Sequence, residues 1–409
     1  MNNSKIRQRI LESAMKVQRW VEERDYKGYE PFDGLSSFLR PLTFGNLFLD
    51  RVLMQVVRQS PVNLRPLLGI KPLESTIGRG YMAWGYLALL KATGKQEFAL
   101  KARSCLDWLI NNRSPGHQEY CWGKHFDFAG RGGGYPKLEP ITVWTSLIGM
   151  AFLEGFETLD DQRYLAVAQS ICRWILGLSR ADSQAGTCLS YTGSGQPSSV
   201  HNHSMLAAAM LARTAKHAMD PEYHKVAQGI MSYSCSRQLP NGAWYYGEDP
   251  MFHWIDNFHT GYNLNGLKCY IDSTGDAKFE DNLRRGFEFY MRHFFEDCGR
   301  PRYYHDRTYP VDSQCISQSI DTLASFADRD GAALPLAVKV TEWATANMQD
   351  QRGFYYYRQY PLLKARTPML HWSQATMYRA LALLAAMLER RGLGHGLSRA
   401  DAPMGRALS

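Results

Sequence analysis

The sequence holds no run of about twenty apolar residues, the length a helix needs to cross a bilayer, so no membrane span is expected. Residues 1–23 (MNNSKIRQRILESAMKVQRWVEE) carry charges along their length and contain no apolar signal core. The eight cysteines include no CxxC pair, and a chain of 409 residues is far longer than a disulfide mini-protein. They read as free thiols of a reducing compartment, and the protein as cytoplasmic. The formal charge is +8, yet the basic residues are scattered, with no run of five, whereas a nucleic-acid stripe is clustered. No nucleic-acid partner is expected; a basic balance suits an anionic small molecule or an acidic polysaccharide. The glycine stretch Gly130–Gly134 (GRGGG) has no GK[ST] after it and reads with no strand before it, so it is a flexible lid or hinge rather than a phosphate cradle. A terpenoid or peptide cyclase would need a metal site or a DxDD-like acidic motif, and neither is present.

Aromatic residues, by contrast, are plentiful at 12 %, with 10 Trp, 23 Tyr and 18 Phe. Half of them are needed to pack a large core; the rest suit a pocket that stacks rings. The chain also repeats itself. An apolar run and a turn recur six times, at intervals of 55–66 residues counted between Gly94, Asp160, Asp220, Gly275, Gly331 and Gly392, and the first five copies continue with an amphipathic helix and a short aromatic segment, Tyr120–Gly123, Cys188–Tyr191, Ala243–Tyr246, Pro301–Tyr304 and Phe354–Tyr357. The first helix of each copy is apolar on nearly every side, as in Met205–Leu211 and Ala380–Ala386, and such a helix has to be buried. The second is one-sided: Phe98, Ala102, Cys105, Leu106, Leu109 and Ile110 share one face, as do Phe279, Leu283, Phe287, Tyr290, Met291 and Phe294.

Buried helices alternating with half-exposed ones are satisfied by an inner ring inside an outer ring, since each hairpin buries its face only against its neighbours. The expected fold is therefore all-α, an (α/α)6 toroid of six hairpins with short aromatic β-like segments at one mouth. Inner helices are expected to begin near residues 77, 143, 203, 260, 314 and 371. The sixth has no chain left to pair with, so the N-terminal helix, within residues 1–24, closes the outer ring. Residues 25–392 form the toroid, and residues 393–409, rich in Gly, Ser and Ala, read as a disordered tail.

Candidate chemistry lies in the loops before the inner helices. They hold His125 and Asp127; His201, Asn202 and His203; Glu248, Asp249, His253, Trp254, Asp256, Asn257 and His259; Tyr303, His305, Asp306, Asp312 and Gln314; and His371, Trp372 and Gln374. Seven of the 12 histidines fall in this set, and histidines and carboxylates in a partly dry cleft are the usual general acids and bases. Asp256, His259, His201, His371 and Asp312 are the catalytic candidates. Trp254, Tyr262, His203, Trp144, Tyr246, Tyr304, Gln314, Trp372, Asp306 and His125 are the candidates for substrate binding. Each has a plainer role: Asp256 and Asp312 sit where a helix is capped, and Trp254 and Trp372 can serve as packing. His201 and His203 make an HxH pair, but no third ligand stands at helical spacing, so no metal is expected. No cofactor is expected either. In the segment His253–Gly261, Asp256 and His259 fall on one face at i, i+3, so the carboxylate can orient the imidazole.

Three segments carry a family resemblance: Tyr29-Glu30-Pro31-Phe32-Asp33-Gly34-Leu35-Ser36-Ser37, Ser60-Pro61-Val62-Asn63-Leu64-Arg65-Pro66-Leu67-Leu68-Gly69 and Trp254-Ile255-Asp256-Asn257-Phe258-His259-Thr260-Gly261. With the repeat, over residues 25–392, the chain resembles the VpsJ-like polysaccharide biosynthesis proteins of exopolysaccharide gene clusters. The architecture is more remotely similar to six-hairpin glycosidases, unsaturated glucuronyl hydrolases and N-acylglucosamine 2-epimerases. The resemblance implies a glycan or sugar substrate, handled by hydrolysis, elimination or epimerisation in the cavity, and association with polysaccharide assembly proteins. A non-catalytic glycan binder or scaffold of that machinery would use the same mouth. Protein prenyltransferases and lanthionine cyclases share a related toroid with a zinc site, for which Cys188 and His201 are the only trace.

Overall fold

Among the described residues, six helices are buried along most of their length, and in those apolar on nearly every side, such as Met205–Leu211, the sequence requires it. The computed structural model describes residues 3–218 and 220–400, those from 392 on by backbone alone. Among the described residues, α1 (Asn3–Glu22) is followed by α2 (Leu47–Gln59) and then by hairpins: α3 (Thr76–Thr93) with α4 (Gln96–Asn111), α5 (Thr142–Leu159) with α6 (Gln162–Leu176), α7 (His201–Ala215) with α8 (Pro221–Ser236), α9 (Asn257–Thr274) with α10 (Glu280–His293), and α11 (Ser313–Ser325) with α12 (Ala333–Met348). The last helix, α13 (Thr376–Ala400), continues from a π-helical turn over Leu370–Ala375. Each inner helix packs on the next, and α13 packs on both α11 and α3, which closes the ring. The outer partner of α13 is α1. The chain has the (α/α)6 toroid fold.

The expected inner-helix starts at 77, 143, 203, 260, 314 and 371 compare with Thr76, Thr142, His201, Asn257, Ser313 and the π turn at Leu370. Local chemistry sets these points. Ser75, Asp256 and Asp312 adopt extended backbone and cap α3, α9 and α11 with their side chains. At the far ends, Gly94 and Gly275 take left-handed φ values of 69° and 71°, the conformation a helix C-terminus favours glycine for. Ring closure needs close backbones: a Cβ on Gly85 of α3 would stand 2.6 Å from the Tyr378 ring of α13. The helix α13 is assigned to Ala400 and so overlaps the first part of the expected tail. The rest of that expected tail, 401–409, lies outside the described residues.

Short antiparallel pairs occupy the loops: β1 (Lys27–Gly28) with β2 (Leu73–Glu74), β3 (Phe128–Gly130) with β4 (Gly133–Tyr135), β5 (Arg180–Ser183) with β6 (Gly186–Leu189), and a three-stranded set of β7 (Val311–Asp312), β8 (Arg358–Gln359) and β9 (Lys364–Ala365). Of the five aromatic segments, only Cys188-Leu189 lies in a strand; three others join their neighbours through single bridges, Gly123–Pro140, Tyr304–Asp256 and Tyr355–Gln349, and Ala243–Tyr246 does so through backbone hydrogen bonds to Trp254 and His201. The GRGGG stretch corrects the sequence reading. A strand does precede it, and it forms the turn of the β3–β4 hairpin, where Gly133 has a φ of 142° that only glycine adopts readily.

The two N-terminal motifs meet. Arg65 Nε donates to both oxygens of Asp33 at 2.8 and 2.9 Å, and both side chains are almost fully buried, at 1 and 5 % exposure. Arg65 Nη2 donates to Glu30 O at 2.9 Å, and the Glu30 N–H donates to Asp33 at 2.9 Å. Burial pushes the Asp33 carboxyl up from its ordinary value, and Arg65 pulls it back. The segment also reaches the sixth repeat, where Tyr29 bridges Met369 and Arg58 donates to the Tyr357 hydroxyl at 3.2 Å. Breaking a buried pair from one side leaves an uncompensated charge. Arg65→Met is expected to cost about 3–5 kcal/mol, read as a lower urea midpoint, whereas exposed Arg352→Met shifts it by less than about 1 kcal/mol.

Candidate active site

The inner-helix mouth is built around two histidines, each held by a buried carboxylate. In the fourth repeat Asp256 caps α9: its Oδ1 accepts the His259 N–H at 3.0 Å, while Oδ2 accepts from His259 Nδ1 at 2.6 Å and from Trp254 Nε1 at 2.8 Å. The cap and the carboxylate–imidazole pair are therefore one residue doing both. Hydrogen bonding to a carboxylate fixes the tautomer with the proton on Nδ1 and leaves Nε2 as the free atom. His259 keeps 19 % side-chain exposure, against 1 % for Asp256.

The second pair joins distant parts of the chain. Glu30, positioned by the Arg65–Asp33 pair, accepts the His371 N–H through Oε1 at 3.1 Å and His371 Nδ1 through Oε2 at 3.2 Å. Among the described residues, the hydrogen bonds of His259 and His371 run through their backbone N–H and Nδ1, and none reaches either Nε2. The two imidazoles are linked by a run of rings. Phe258 lies 3.9 Å from His259 and 5.4 Å from Trp372, centroid to centroid, and Trp372 lies 5.7 Å from His371. Tyr246 stacks on Trp254 at 4.6 Å and tilts against His259 at 4.3 Å. Trp144 and Tyr81 flank His371 at 5.4 and 6.1 Å. Arg131, from the β3–β4 turn, reaches across to donate to Met251 O at 2.7 Å and lies 4.9 Å from the Trp254 ring.

Lys124 sits in the same neighbourhood. Its ammonium lies 3.2 Å from the Phe128 ring centroid and 5.5 Å from that of Trp144, and the residue is 9 % exposed. Burial pushes its pKa down to about 7, against the pull of Glu30.

The other candidates divide. Asp312 caps α11 and is enclosed: Oδ1 accepts from Gln314 N and Trp372 Nε1, and Oδ2 from Arg358. Both oxygens are engaged, and its visible work is to hold Trp372 in position. Tyr262 lies deeper, bonding the Tyr81 hydroxyl at 3.0 Å and receiving Gln314 Nε2 at 2.8 Å. His201 turns to Glu248 at 2.9 Å and to Ser234 of α8. His203 is buried on Leu189 O at 3.1 Å beside Tyr191. Tyr304 packs on Tyr303, while Asp306 is exposed and pairs with Arg307. His125 bonds Glu74 O and meets Trp108 of the outer helix α4, away from the two dyads. So His259, His371, Trp254, Tyr246, Trp144 and Trp372 come together, and His125, His201 and Asp306 do not join them.

Sequence reasoning passed over Glu30, Tyr81, Lys124 and Phe258. Glu30 stood inside a quoted motif, and Lys124 directly follows the aromatic segment ending at Gly123, so both carried a signal. It also looked only at the mouth where inner helices begin. A cavity of about 410 Å³ opens at the opposite end, between the last turns of the inner helices. Among the described residues no three His, Cys, Asp or Glu side chains gather as metal ligands, and no helix is long and apolar enough to cross a membrane.

No protein-family model and no curated protein matches the sequence. Solved structures do match the fold. The cellobiose 2-epimerase of Bacillus thermoamylovorans superposes with a TM-score of 0.60 at 11 % identity, over 78 % of this chain and 88 % of that one. A GH76 α-mannanase of Bacteroides thetaiotaomicron gives 0.59 at 12 %, with 78 % and 88 % covered. A D-mannose isomerase gives 0.58 at 10 %, with 77 % and 87 % covered. At these identities the likeness shows the (α/α)6 toroid fold.

Burial of His203 has a measurable consequence. Desolvation drops its pKa to about 4 in the folded chain, whereas an unfolded histidine titrates near 6.5. The unfolded state therefore binds the proton first. The stability this group contributes is full above pH 6.5 and falls as pH drops towards 4. Between pH 7 and pH 5 the expected loss is about 2 kcal/mol in urea unfolding, and His203→Gln is expected to remove that part of the slope.

Proposed function

We propose that this chain is a sugar-processing enzyme that moves protons beside a carbonyl, an epimerase or isomerase, with His259 and His371 as its acid and base. The observation that carries this reading is the pair of carboxylate-held imidazoles with unpartnered Nε2 atoms, joined by aromatic rings at one mouth. A sugar in its open-chain form has an acidic C–H next to the carbonyl. One Nε2 takes that proton while the carbonyl oxygen takes negative charge. Returning a proton to the other face of the carbon from the second imidazole inverts it; protonating the neighbouring carbon instead moves the carbonyl. Lys124, whose pKa near 7 lets it give or take a proton at neutral pH, stands beside Trp144 and can neutralise the oxyanion. Trp254, Tyr246 and Trp372 offer ring faces to the sugar.

Hydrolysis needs two carboxylates facing one glycosidic bond. The acids near this mouth are already committed: Asp256 and Asp312 as described, Asp127 to Arg40 and the Lys137 N–H, Asp249 to Ser199 and Asp306 to Arg307. Proton transfer by histidine is what remains. The sugar epimerases and isomerases among the structural neighbours agree with this reading.

The setting follows from the sequence motifs. The chain acts in exopolysaccharide assembly, as a VpsJ-like protein, in the cytoplasm. The eight cysteines are all free, which suits a reducing compartment. An assembly partner has a surface to use: Phe38, Leu42, Phe44, Phe48 and Leu67 are 64–87 % exposed on the segment that carries α2.

The test is turnover and melting temperature on a panel of aldoses, ketoses and oligosaccharides. His259→Ala and His371→Ala are each expected to lower kcat on the order of 10²–10⁴-fold with the fold retained. Asp256→Asn keeps a capping side chain and is expected to slow turnover while costing no more than about 1 kcal/mol. Wild-type rates in both histidine variants would sink the reading. Sugar binding by a wild-type chain that converts none of the panel would point to a glycan binder.

A further inference from the structure

At the end of the ring where the inner helices finish, the 410 Å³ cavity is walled by ten charged side chains, six of them basic. The four acids are all engaged. Glu154 sits between Lys91 and Arg213, which hold its carboxyl down at about 2 despite burial. Glu157 pairs with Arg213 and His217, and Asp272 with Lys268 and Arg329. Asp321 accepts from Asn265 at 3.0 Å and stands 3.5 Å from Arg379. Two cations at the rim, Lys216 and Arg390, are exposed and enter no ion pair with a described residue.

Arg379 is the unusual member. It is 5 % exposed, its guanidinium stacks 4.2 Å from the Trp84 ring, and although Nη1 stands 3.5 Å from Asp321 Oδ2, neither Nε nor Nη1 makes a hydrogen bond. Buried guanidinium donors without acceptors are costly. A guanidinium meets the paired oxygens of a carboxylate or phosphate through Nε with Nη2 or through its two terminal nitrogens, and each of these edges of Arg379 includes one of the donors that make no hydrogen bond. The floor beneath it is Tyr81, Trp84 and Tyr262, with the Tyr81–Tyr262 hydroxyl bond separating the cavity from His371, which stacks on Tyr81.

We propose that this cavity is a second ligand site, for a sugar-sized oxyanion, with Arg379 gripping the phosphate or carboxylate and the Trp84–Tyr81 floor taking the ring. The volume admits one substituted sugar ring and no polymer. The open positive charge at the rim favours an anion, and Lys216 and Arg390 draw it in. Tyr81 touches both sites, but neither imidazole lines the cavity, so the proposal stands whatever reaction the dyads perform.

Calorimetric titration of the full chain with glucose 6-phosphate, glucuronate, inorganic phosphate and glucose tests this. One saturable site for glucose 6-phosphate or glucuronate is expected, with glucose silent. Binding of the phosphate ester alone assigns a phosphorylated ligand, binding of glucuronate alone a sugar acid, and weaker binding of inorganic phosphate shows that the ring contributes. Arg379→Gln is expected to weaken binding by about tenfold or more. Arg390→Ala, at an exposed position that leaves the core untouched, is expected to weaken it by about threefold and to flatten its salt dependence. His259→Ala is expected to leave the Kd unchanged, which separates this site from the other mouth. No saturable heat with either sugar anion up to about 10 mM, or binding that Arg390→Ala and Arg379→Gln both leave unchanged, overturns the proposal.

Discussion

A carboxylate taken out of water must find a cation or hydrogen-bond donors, and the mouth of this ring is organised by that requirement. Asp33 is buried, so Arg65 is buried with it, and the pair fixes the backbone of Glu30. Glu30 in turn holds both the backbone and the ring of His371, across 341 positions of sequence. Asp256 answers the same requirement locally, taking the free N–H of its helix, the His259 ring and the Trp254 indole. Asp312 answers it with Arg358, Gln314 and Trp372. Glu30, backed by Asp33, together with Asp256 and Asp312 thus sets the positions of both imidazoles and two of the tryptophans.

The ring itself was legible in the chain because burial leaves a plain mark. A helix such as Met205–Leu211, with no polar face, fits only an interior position, and its alternation with one-sided helices such as Gln96–Asn111 implies two concentric layers. Helix starts were legible where a capping acid announced them, as at Asp256 and Asp312. The Asp256–His259 pair was legible for the same reason, since i, i+3 spacing on a helix is a local geometry. The Glu30–His371 pair was not, because nothing local ties residue 30 to residue 371; only closure of the ring through α1 and α13 brings them together. The β3–β4 hairpin escaped notice because its glycines hide the alternation a strand usually displays. The far cavity escaped because its lining is spread over single charges in apolar helices, Glu154, Arg213, Asp321 and Arg379, each of which reads as an isolated exception.

The two ends of the ring differ in chemistry. Where inner helices begin, long loops bring histidines and aromatic rings together, and the acids are spent on orientation. Where they end, short turns leave room for charge, and the acids are spent on neutralising arginines and lysines. Aromatic walls with imidazoles suit a neutral polyol whose C–H bonds must be reached; a basic cup over tryptophan suits an oxyanion. The Tyr81–Tyr262 layer lies between them and is in contact with both, through the His371 ring on one side and the cavity on the other.

Proton transfer at carbon by the two imidazoles is the central claim, and exchange with solvent reports on it directly. The sugar that the chain converts is to be incubated in deuterium oxide and the product read by proton NMR. An imidazole that delivers the returning proton draws it from water, so one deuteron per product molecule is predicted at the carbon adjoining the carbonyl. Product carrying no deuterium on carbon, with label confined to hydroxyl groups as hydrolysis would leave it, would contradict the account.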